Sequence, residues 1–343
     1  INVINATFSS YTNTLTNSLE RTVHSKLHDW VSIKDFGVVP VSRSESVATA
    51  RAADSLHALI QNAIDSVSAN GGGSIYMPPA WYPVDTPLVS KDNVTLFSDN
   101  NRGAVLLAKS NEHRIFTSSG SGYSGDFCLK NIGFRGYADI EPSLGGDDDR
   151  LGVFNSHRKL ILHGVYAEYG RQMAFGSFSE QAHAIECELY KIHRDGFNFT
   201  DCSGPVSAIN CKGKYIGDDP VAFHTSQIQS VSETINKPSL VLGNDFQFCN
   251  GIKVLNRVPT IIANNNLRFC RGYGIWVGDD GNEGRRTGIN INISNNNITD
   301  VFNSLMTGDG AIGYGIYIKM SSSSAGLGTY LLDAPPGEYY DSD

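Results

Sequence analysis

The sequence predicts an all-β chain wound as a parallel β-helix (a solenoid), preceded by an N-terminal helical neck and a capping helix. Three observations carry this. One short apolar strand recurs in phase from about residue 171 to 318. After the Asn70-Gly-Gly-Gly73 run no stretch reads as a long helix, only short apolar strands between turn residues. Before that run, two stretches have helical apolar spacing.

The recurring strand aligns as Arg171-Gln-Met-Ala-Phe175, Asp195-Gly-Phe-Asn-Phe199, Asp219-Pro-Val-Ala-Phe223, Asn250-Gly-Ile-Lys-Val254, Tyr273-Gly-Ile-Trp-Val277 and Tyr314-Gly-Ile-Tyr-Ile318, at successive offsets of 24, 24, 31, 23 and 41 residues. A period near 24 with no helix between repeats is the signature of stacked parallel strands. Positions three and five are apolar throughout and alternate inward. That gives ladders Met173/Phe197/Val221/Ile252/Ile275/Ile316 and Phe175/Phe199/Phe223/Val254/Val277/Ile318. Position four points outward: Ala174, Asn198, Ala222, Lys253, Trp276 and Tyr317. The longer offsets place inserted loops around 225–240 and 303–312.

The remaining elements follow in order. From Ser10 to Trp30, Leu15, Leu19, Val23 and Leu27 recur every four residues on one narrow stripe. A helix cannot bury so narrow a stripe alone, so this neck is expected to join copies of the chain as a homotrimer. Val31 to Gly37 reads as an alternating strand. Residues 51–68 read as a helix with Ala52, Leu56, Leu59, Ile60, Ala63, Ile64 and Val67 on one face, ended by the glycine run. Ser74 to Pro78 is a strand, and further strands are expected at 82–88, 93–97, 103–108, 114–117 and 127–134. Asn clusters at 264–266 and 295–297 fit turns, where Asn tolerates left-handed backbone and hydrogen-bonds along a stack. The expected divisions are a neck over 1–36, the β-helix over 37–318, and a flexible acidic segment over 319–343.

Composition narrows the functional classes. The 343 residues carry 27 Lys and Arg against 35 Asp and Glu, a net charge of −8. Nucleic-acid binding needs basic surface to replace counterions, so it is not expected. No apolar run approaches the roughly 20 residues of a membrane span. The six cysteines form no CxxC pair, which argues against a zinc site. They read as buried reduced side chains, with Cys187 and Cys211 on neighbouring coils. No cofactor and no metal are expected. The acidic stretches Gly145–Arg150 and Asp279–Glu283 read as solvated loops rather than calcium sites.

Stacking brings chemistry together. Adjacent coils lie about 4.8 Å apart. Asp195 and Asp219 occupy the first column one coil apart, Asp218 precedes Asp219, and Asn198, His224 and Lys253 lie close by. Each Asp alone reads as a turn residue. Two stacked carboxylates repel, and turn geometry gives no reason to stack them. A joint role on an outer face follows, of the kind glycoside hydrolysis uses, with one carboxyl protonated and one ionised. Asp126, Glu168, Glu180, Glu186 and Glu188 are the reserve acids. Trp276 and Tyr317 are outward aromatics suited to sugars or to cover by another chain.

Two resemblances add to this. Arg21-Thr-Val-His-Ser-Lys-Leu-His-Asp-Trp-Val-Ser-Ile-Lys-Asp-Phe-Gly37 resembles the neck of bacteriophage tailspike proteins. The helix at 51–68 with Gly71-Gly-Gly-Ser-Ile-Tyr-Met-Pro-Pro79 is similar to the start of the pectate-lyase-like right-handed β-helix superfamily. In place of the usual acidic turn after Phe36-Gly37 stands Val38-Val-Pro-Val-Ser-Arg-Ser44. Arg194-Asp-Gly-Phe-Asn198 and Gly217-Asp-Asp-Pro-Val-Ala222 resemble the two Asp motifs of the polygalacturonase family of inverting glycoside hydrolases. That resemblance makes Asp218 the general acid and Asp195 and Asp219 the pair that activates water. It puts Lys253 in a substrate-binding column, with Asn198, His224, Trp276 and Tyr317 as further substrate contacts. The family's Gly-His-Gly is here Cys249-Asn250-Gly251, so its His is absent.

These resemblances imply an extracellular virion protein of the phage tail. Its partners would be a bacterial surface polysaccharide, other copies of itself, and other tail proteins through its N-terminal side. The activity implied is depolymerisation of capsule or O-antigen. Two alternatives stand: a polysaccharide lyase using Lys253, His224 or Tyr273 as base, and a receptor-binding or structural tail module without catalysis.

Overall fold

The computed structural model describes residues 10–11, 21–22, 30–110, 114–118, 125–141, 150–224, 238–255, 259–278, 291–301, 314–319 and 331–333. Successive coils each lay one strand into each of three sheets, of eleven, nine and nine described strands. The first sheet runs from Trp30–Ser32 to Leu331–Asp333, the second from Ala80–Val84 to Asn297–Thr299, and the third from Leu88–Ser90 to Tyr314–Lys319. Neighbouring strands within each sheet pair in parallel, as in Asn198↔Ala222 and Ala222↔Lys253, and the solenoid is a right-handed parallel β-helix. The sequence expectation of fold class holds.

The core fills the tube along its length. Phe116, Phe127, Phe134 and Phe154 pack together near the N-terminal end, with ring centroids 5.6–6.0 Å apart around Phe116. Further along, Phe199 stacks on Phe223 at 5.7 Å. Beyond them the same positions narrow to Val254 and Val277, all buried. The inward ladders hold from Asp195 onward but slip at the first repeat. Phe175 pairs with Phe197, not Phe199, so that step is 22 residues (197 − 175) rather than 24. A two-residue slip keeps every side chain on its own face, so alternation alone cannot detect it.

Other corrections are local. The stretch 51–68 is two helices. Val47–Ala52 is capped by Ser46, whose hydroxyl accepts from the Thr49 N–H, and it stops at Ala53, which is extended with ψ 162°. His57–Ala69 then buries Ile60, Ala63, Ile64 and Val67 over the open end of the tube, while Ala52 and Leu59 face solvent. The expected strand from Val31 to Gly37 is only Trp30–Ser32. Ser32 and Asp35 form a capping box that turns the chain into a 3₁₀ helix over Ile33–Phe36. Residues 82–88 and 127–134 each divide into two strands at a corner, the second at Asn131 with φ 57°. The helical neck is not a continuous helix: Ser10–Tyr11 pairs antiparallel with Arg21–Thr22. Leu15, Leu19, Val23 and Leu27 lie outside the described residues, as do most of the inserted loops and the two acidic stretches.

The asparagine turns appear as expected. Asn264 and Asn295 take left-handed backbone with φ 57° and 52°. Beside them Asn244, Asn265 and Asn296 stack into a ladder, the first two buried and Asn296 half-buried. The Asn244 side-chain N–H donates to Asn265 Oδ1 at 2.8 Å, and that of Asn265 to Asn296 Oδ1 at 2.8 Å. Each amide also donates to a strand carbonyl: Ala208, Val241 and Ile262. Cys211 and Cys187 occupy the same column one and two coils before Asn244, and all six cysteines are free thiols.

Replacing Asn265 by Ala strands the Asn244 backbone N–H and takes the side-chain donor from the Val241 carbonyl in the interior, while the Asn296 side-chain oxygen keeps the Asn265 backbone N–H. Unsatisfied buried groups cost about 1–3 kcal/mol each. Asn265→Ala is therefore expected to lose about 2–4 kcal/mol of unfolding free energy in thermal or urea melts. An unchanged midpoint would show that the ladder carries no stability.

Candidate functional site

The site lies on the outer side of the third sheet, just ahead of the strands Phe197–Thr200, Val221–His224 and Ile252–Leu255. Two glycines let the chain approach there. A Cβ on Gly196 would sit 2.4 Å from the Pro220 carbonyl oxygen, and one on Gly217 would sit 1.8 Å from the His193 carbonyl oxygen. Neither position admits a side chain. This is the physical reason for the Asp-Gly and Gly-Asp-Asp spelling of the two motifs.

Asp195, Asp218 and Asp219 meet as their stacking predicts. One carboxylate oxygen from each lies within 4.8 Å of the others. The expectation of an open outer face is corrected, however. Asp195 and Asp219 are each 3% exposed, and only Asp218 is half-buried. The carboxylates are held by neutral donors, Asp195 by the Asp219 backbone N–H as well as by a side chain. Asn198 Nδ2 donates to Asp195 Oδ2 at 2.5 Å, and the Thr200 hydroxyl donates in turn to Asn198 Oδ1. The Asn250 side-chain N–H donates to Asp218. The Tyr273 hydroxyl donates to Asp219.

Burial dominates the electrostatics. It pushes the Asp195 carboxyl up to about 6, with the Asp218 charge adding to the effect and the Asn198 bond opposing it. Asp219 is held well above the usual carboxylate range by burial and by the charges of Asp218 and Asp195, against the pull of Lys253. Burial, with Asp219 close by, likewise holds the Tyr273 phenol well above its ordinary value. Asp195 and Asp219 thus titrate as a coupled pair that holds protons above the ordinary carboxylate range. Three carboxylate oxygens so close also suit a divalent cation.

The substrate-binding candidates fall in three places. Asn198 and His224 are buried, Asn198 as the Asp195 donor and His224 at the strand end in register with Thr200 and Leu255. Lys253 lies half-buried with its Nζ 4.3 Å from the Trp276 ring centroid, covering the indole face. Tyr273 and Tyr317 meet that ring edge-on at 5.2 and 5.4 Å. The Trp276 face is thus occupied by Lys253, and Tyr317, itself half-buried, lies between that ring and Tyr314, which is exposed. Among the described residues the buried Trp276 Nε1 has no hydrogen-bond partner. The reserve acids are mostly paired elsewhere: Asp126 with Arg158, Glu168 with Arg135, Glu186 with His163 and Glu188 with Arg102.

Sequence reasoning missed two supports. Asn250 read only as the site of an absent His, yet its side chain and its backbone N–H both hold Asp218. Arg271 was not singled out. Its guanidinium donates to the Gly217 carbonyl, 54 residues away, as Tyr273 reaches Asp219 across 54 residues. Both spans equal two repeat steps (31 + 23), so the offset arithmetic contained the signal.

No protein-family profile matches the sequence, and no curated protein sequence matches it significantly. Solved structures do match. A mutant tailspike protein of E. coli bacteriophage HK620, in complex with a pentasaccharide, superposes with a TM-score of 0.54 at 14% identity, over 92% of this chain and 61% of that one. The pre-mature bacteriophage phi29 gene product 12 superposes with a TM-score of 0.52 at 13% identity, over 79% of this chain and 33% of that one. The chain thus spans about three fifths and about a third of these proteins. At such identities the likeness establishes a shared fold.

The cluster sets a pH dependence of stability. Asp195 keeps its proton up to about 6 when folded, against 3.8 when unfolded. Between these values the folded chain binds more protons, so stability falls as the pH rises through that window and stays lower at neutral pH. Asp219→Asn removes one titrating carboxyl from the cluster. Its melting temperature is expected to exceed that of the wild type at pH about 7.5, with the gain shrinking toward pH about 4. A variant that melts lower than the wild type at neutral pH would contradict this account.

Proposed function

We propose that the chain is the β-helical part of a phage tail protein that binds a bacterial surface polysaccharide, capsule or O-antigen, and hydrolyses glycosidic bonds within it. The observation that carries this reading is the three-carboxylate cluster. Buried like charges are costly and contribute nothing to the fold, and such groups concentrate where chemistry needs them. The fold shared with a tailspike solved with an oligosaccharide supports the polysaccharide as the class of ligand.

Hydrolysis needs an acid for the leaving oxygen and a carboxylate for the attacking water. Asp218 is the least buried of the three and is the group a sugar chain can touch. In this reading a proton held within the cluster passes through the Asp218 carboxyl to the departing glycosidic oxygen as the C–O bond breaks, which leaves an ionised carboxylate in the Asp195–Asp219 pair. Asp195 and Asp219 hold the water. Two acceptors within 4.8 Å fit a single water donating to both, at about 2.8 Å each. As the water oxygen bonds to the anomeric carbon, its proton passes to this pair. Asn250 and Arg271 fix the Gly217-Asp218 turn, and Tyr273 fixes Asp219. Lys253, Trp276 and Tyr317 form the flank along which the chain would lie. In the virion the module is proposed to sit outside the cell, attached to other tail proteins through its N-terminal side.

Incubation with capsular or O-antigen polysaccharide from a susceptible bacterium should release new reducing ends without unsaturated sugar ends. Unsaturated ends would identify the lyase alternative, and binding without cleavage the adhesin alternative. Asp219→Asn should lower turnover by about 10²–10⁴-fold with polysaccharide binding retained. Adding Asp195→Asn should cost less than the sum of the single losses. Cleavage by Asp219→Asn at the wild-type rate would end the assignment.

A further inference from the structure

The solenoid turns two of its corners with the same backbone and fills them differently. Between the first and second sheets the turning residue is left-handed in every coil from Asn131 to Asn295, with φ 52–65°. It is Asn or Gly in all of them but that of Glu186, and these residues take the conformation cheaply. Between the second and third sheets the left-handed residues of five successive coils are Tyr169, Lys191, Tyr215, Phe248 and Phe269, with φ 52–61°. Register places them in one column, beside a second column of Tyr190, Lys214, Gln247 and Arg268. Bulky side chains are disfavoured in this conformation, and Asn would serve the turn. Backbone strain of this kind gathers where function requires it. The strained side chains are displayed rather than hidden: Lys191 is exposed, as are Tyr215 at 43% and Phe248 at 38%.

What this ridge presents to solvent is positive. Tyr215 stacks on Phe248 at 5.0 Å and 22°, and Phe248 on Phe269 at 4.7 Å and 8°. Their faces meet each other along the solenoid, so the ring edges, which carry partial positive charge, turn outward. Lys214 Nζ lies 4.8 Å from the Tyr215 centroid, and Lys191 Nζ lies 5.4 Å from those of Tyr169 and Tyr190. The neighbouring carboxylates are taken by arginines: Glu168 by Arg135, Glu188 by Arg102 and Asp245 by Arg268. Among the described residues neither lysine is paired with a carboxylate. Tyr215 stands three residues ahead of Asp218 on the same coil, and the exposed Arg194 and Arg271 follow the ridge on theirs.

We propose that this ridge binds the acidic groups of an anionic polysaccharide and thereby selects the substrate class of the neighbouring acid site. The proposal rests on the polysaccharide reading above for its ligand, and is independent of whether the sugar chain is cut. A protein of net charge −8 repels a polyanion overall, so binding depends on where unpaired cations gather. A neutral glycan would stack on ring faces, and here those faces are closed by one another. Coils about 4.8 Å apart step at close to the length of one sugar residue, so a polymer lying along the ridge meets a similar contact at each sugar.

The test uses the full chain carrying Asp219→Asn, so that bound polymer stays intact. Its probes are polysaccharide purified from a susceptible bacterium, the same polymer with its carboxyls reduced to alcohols, and the same polymer freed of phosphate. The untreated polymer should carry acidic groups and bind about tenfold more weakly at about 0.5 M salt than at about 0.05 M. Lys191→Gln with Lys214→Gln should weaken low-salt binding by about tenfold and flatten the salt dependence, with the circular dichroism unchanged. Lys191→Arg with Lys214→Arg should retain both. Binding lost on carboxyl reduction identifies uronate-type groups as those held, and binding lost on phosphate removal identifies phosphate. A bound polymer without acidic groups overturns the proposal. So does a folded double Lys→Gln variant with the original affinity and salt dependence. Salt-sensitive binding without cleavage by the wild-type chain would remove hydrolysis and leave the ridge standing, and cleavage of a neutral polymer would do the reverse.

Discussion

Every feature of this chain depends on one spacing. Successive coils lie about 4.8 Å apart, so each residue meets its counterpart one coil along. Where the counterpart is apolar the result is a continuous core, as in Phe199 on Phe223 and Val254 on Val277. Where it is an amide, a ladder forms that satisfies its own members, as in Asn244, Asn265 and Asn296. Where it is a carboxylate, like charge meets like charge. The first two arrangements stabilise the solenoid. The third works against it, and Asp195 and Asp219 are stacked all the same.

The surroundings of that pair moderate the repulsion without neutralising it. Asn198, Asn250 and Tyr273 are neutral donors, and the nearest cation felt by Asp219 is Lys253, which also leans on Trp276. A site built for stability would have used an arginine in bidentate contact, as Arg51 does with Asp139 on the second sheet's outer side. Neutral donors keep the acids in place and leave protons in the cluster. A solenoid with many stabilising rungs tolerates one such rung.

Much of this was legible in the sequence because the repeat encodes position. The offsets 24, 31 and 23 place Asp195, Asp219, Asn250 and Tyr273 in one column before any coordinates exist, and the coordinates keep them there. The slip at Phe175 was not legible, since a shift of two preserves the alternation of faces. Burial was not legible either. Asn198 and His224 occupy outward or flanking positions in the repeat, yet both are buried, because neighbouring coils rather than the local pattern decide what covers an outer face. The break at Ala53 escaped because apolar periodicity continued through it while the backbone turned extended. Lys253 over Trp276 could be foreseen as neighbours, but not as a covered indole, since the lysine's rotamer is not written in the spacing.

The most direct test of the central claim is a crystal structure of Asp219→Asn soaked with an oligosaccharide of the polysaccharide it is proposed to cleave. The account predicts a glycosidic oxygen within hydrogen-bonding distance of Asp218. The sugar chain should run along the third sheet past Lys253 toward Tyr317. An oligosaccharide ordered on another face, with no sugar atom reaching Asp218, would contradict it.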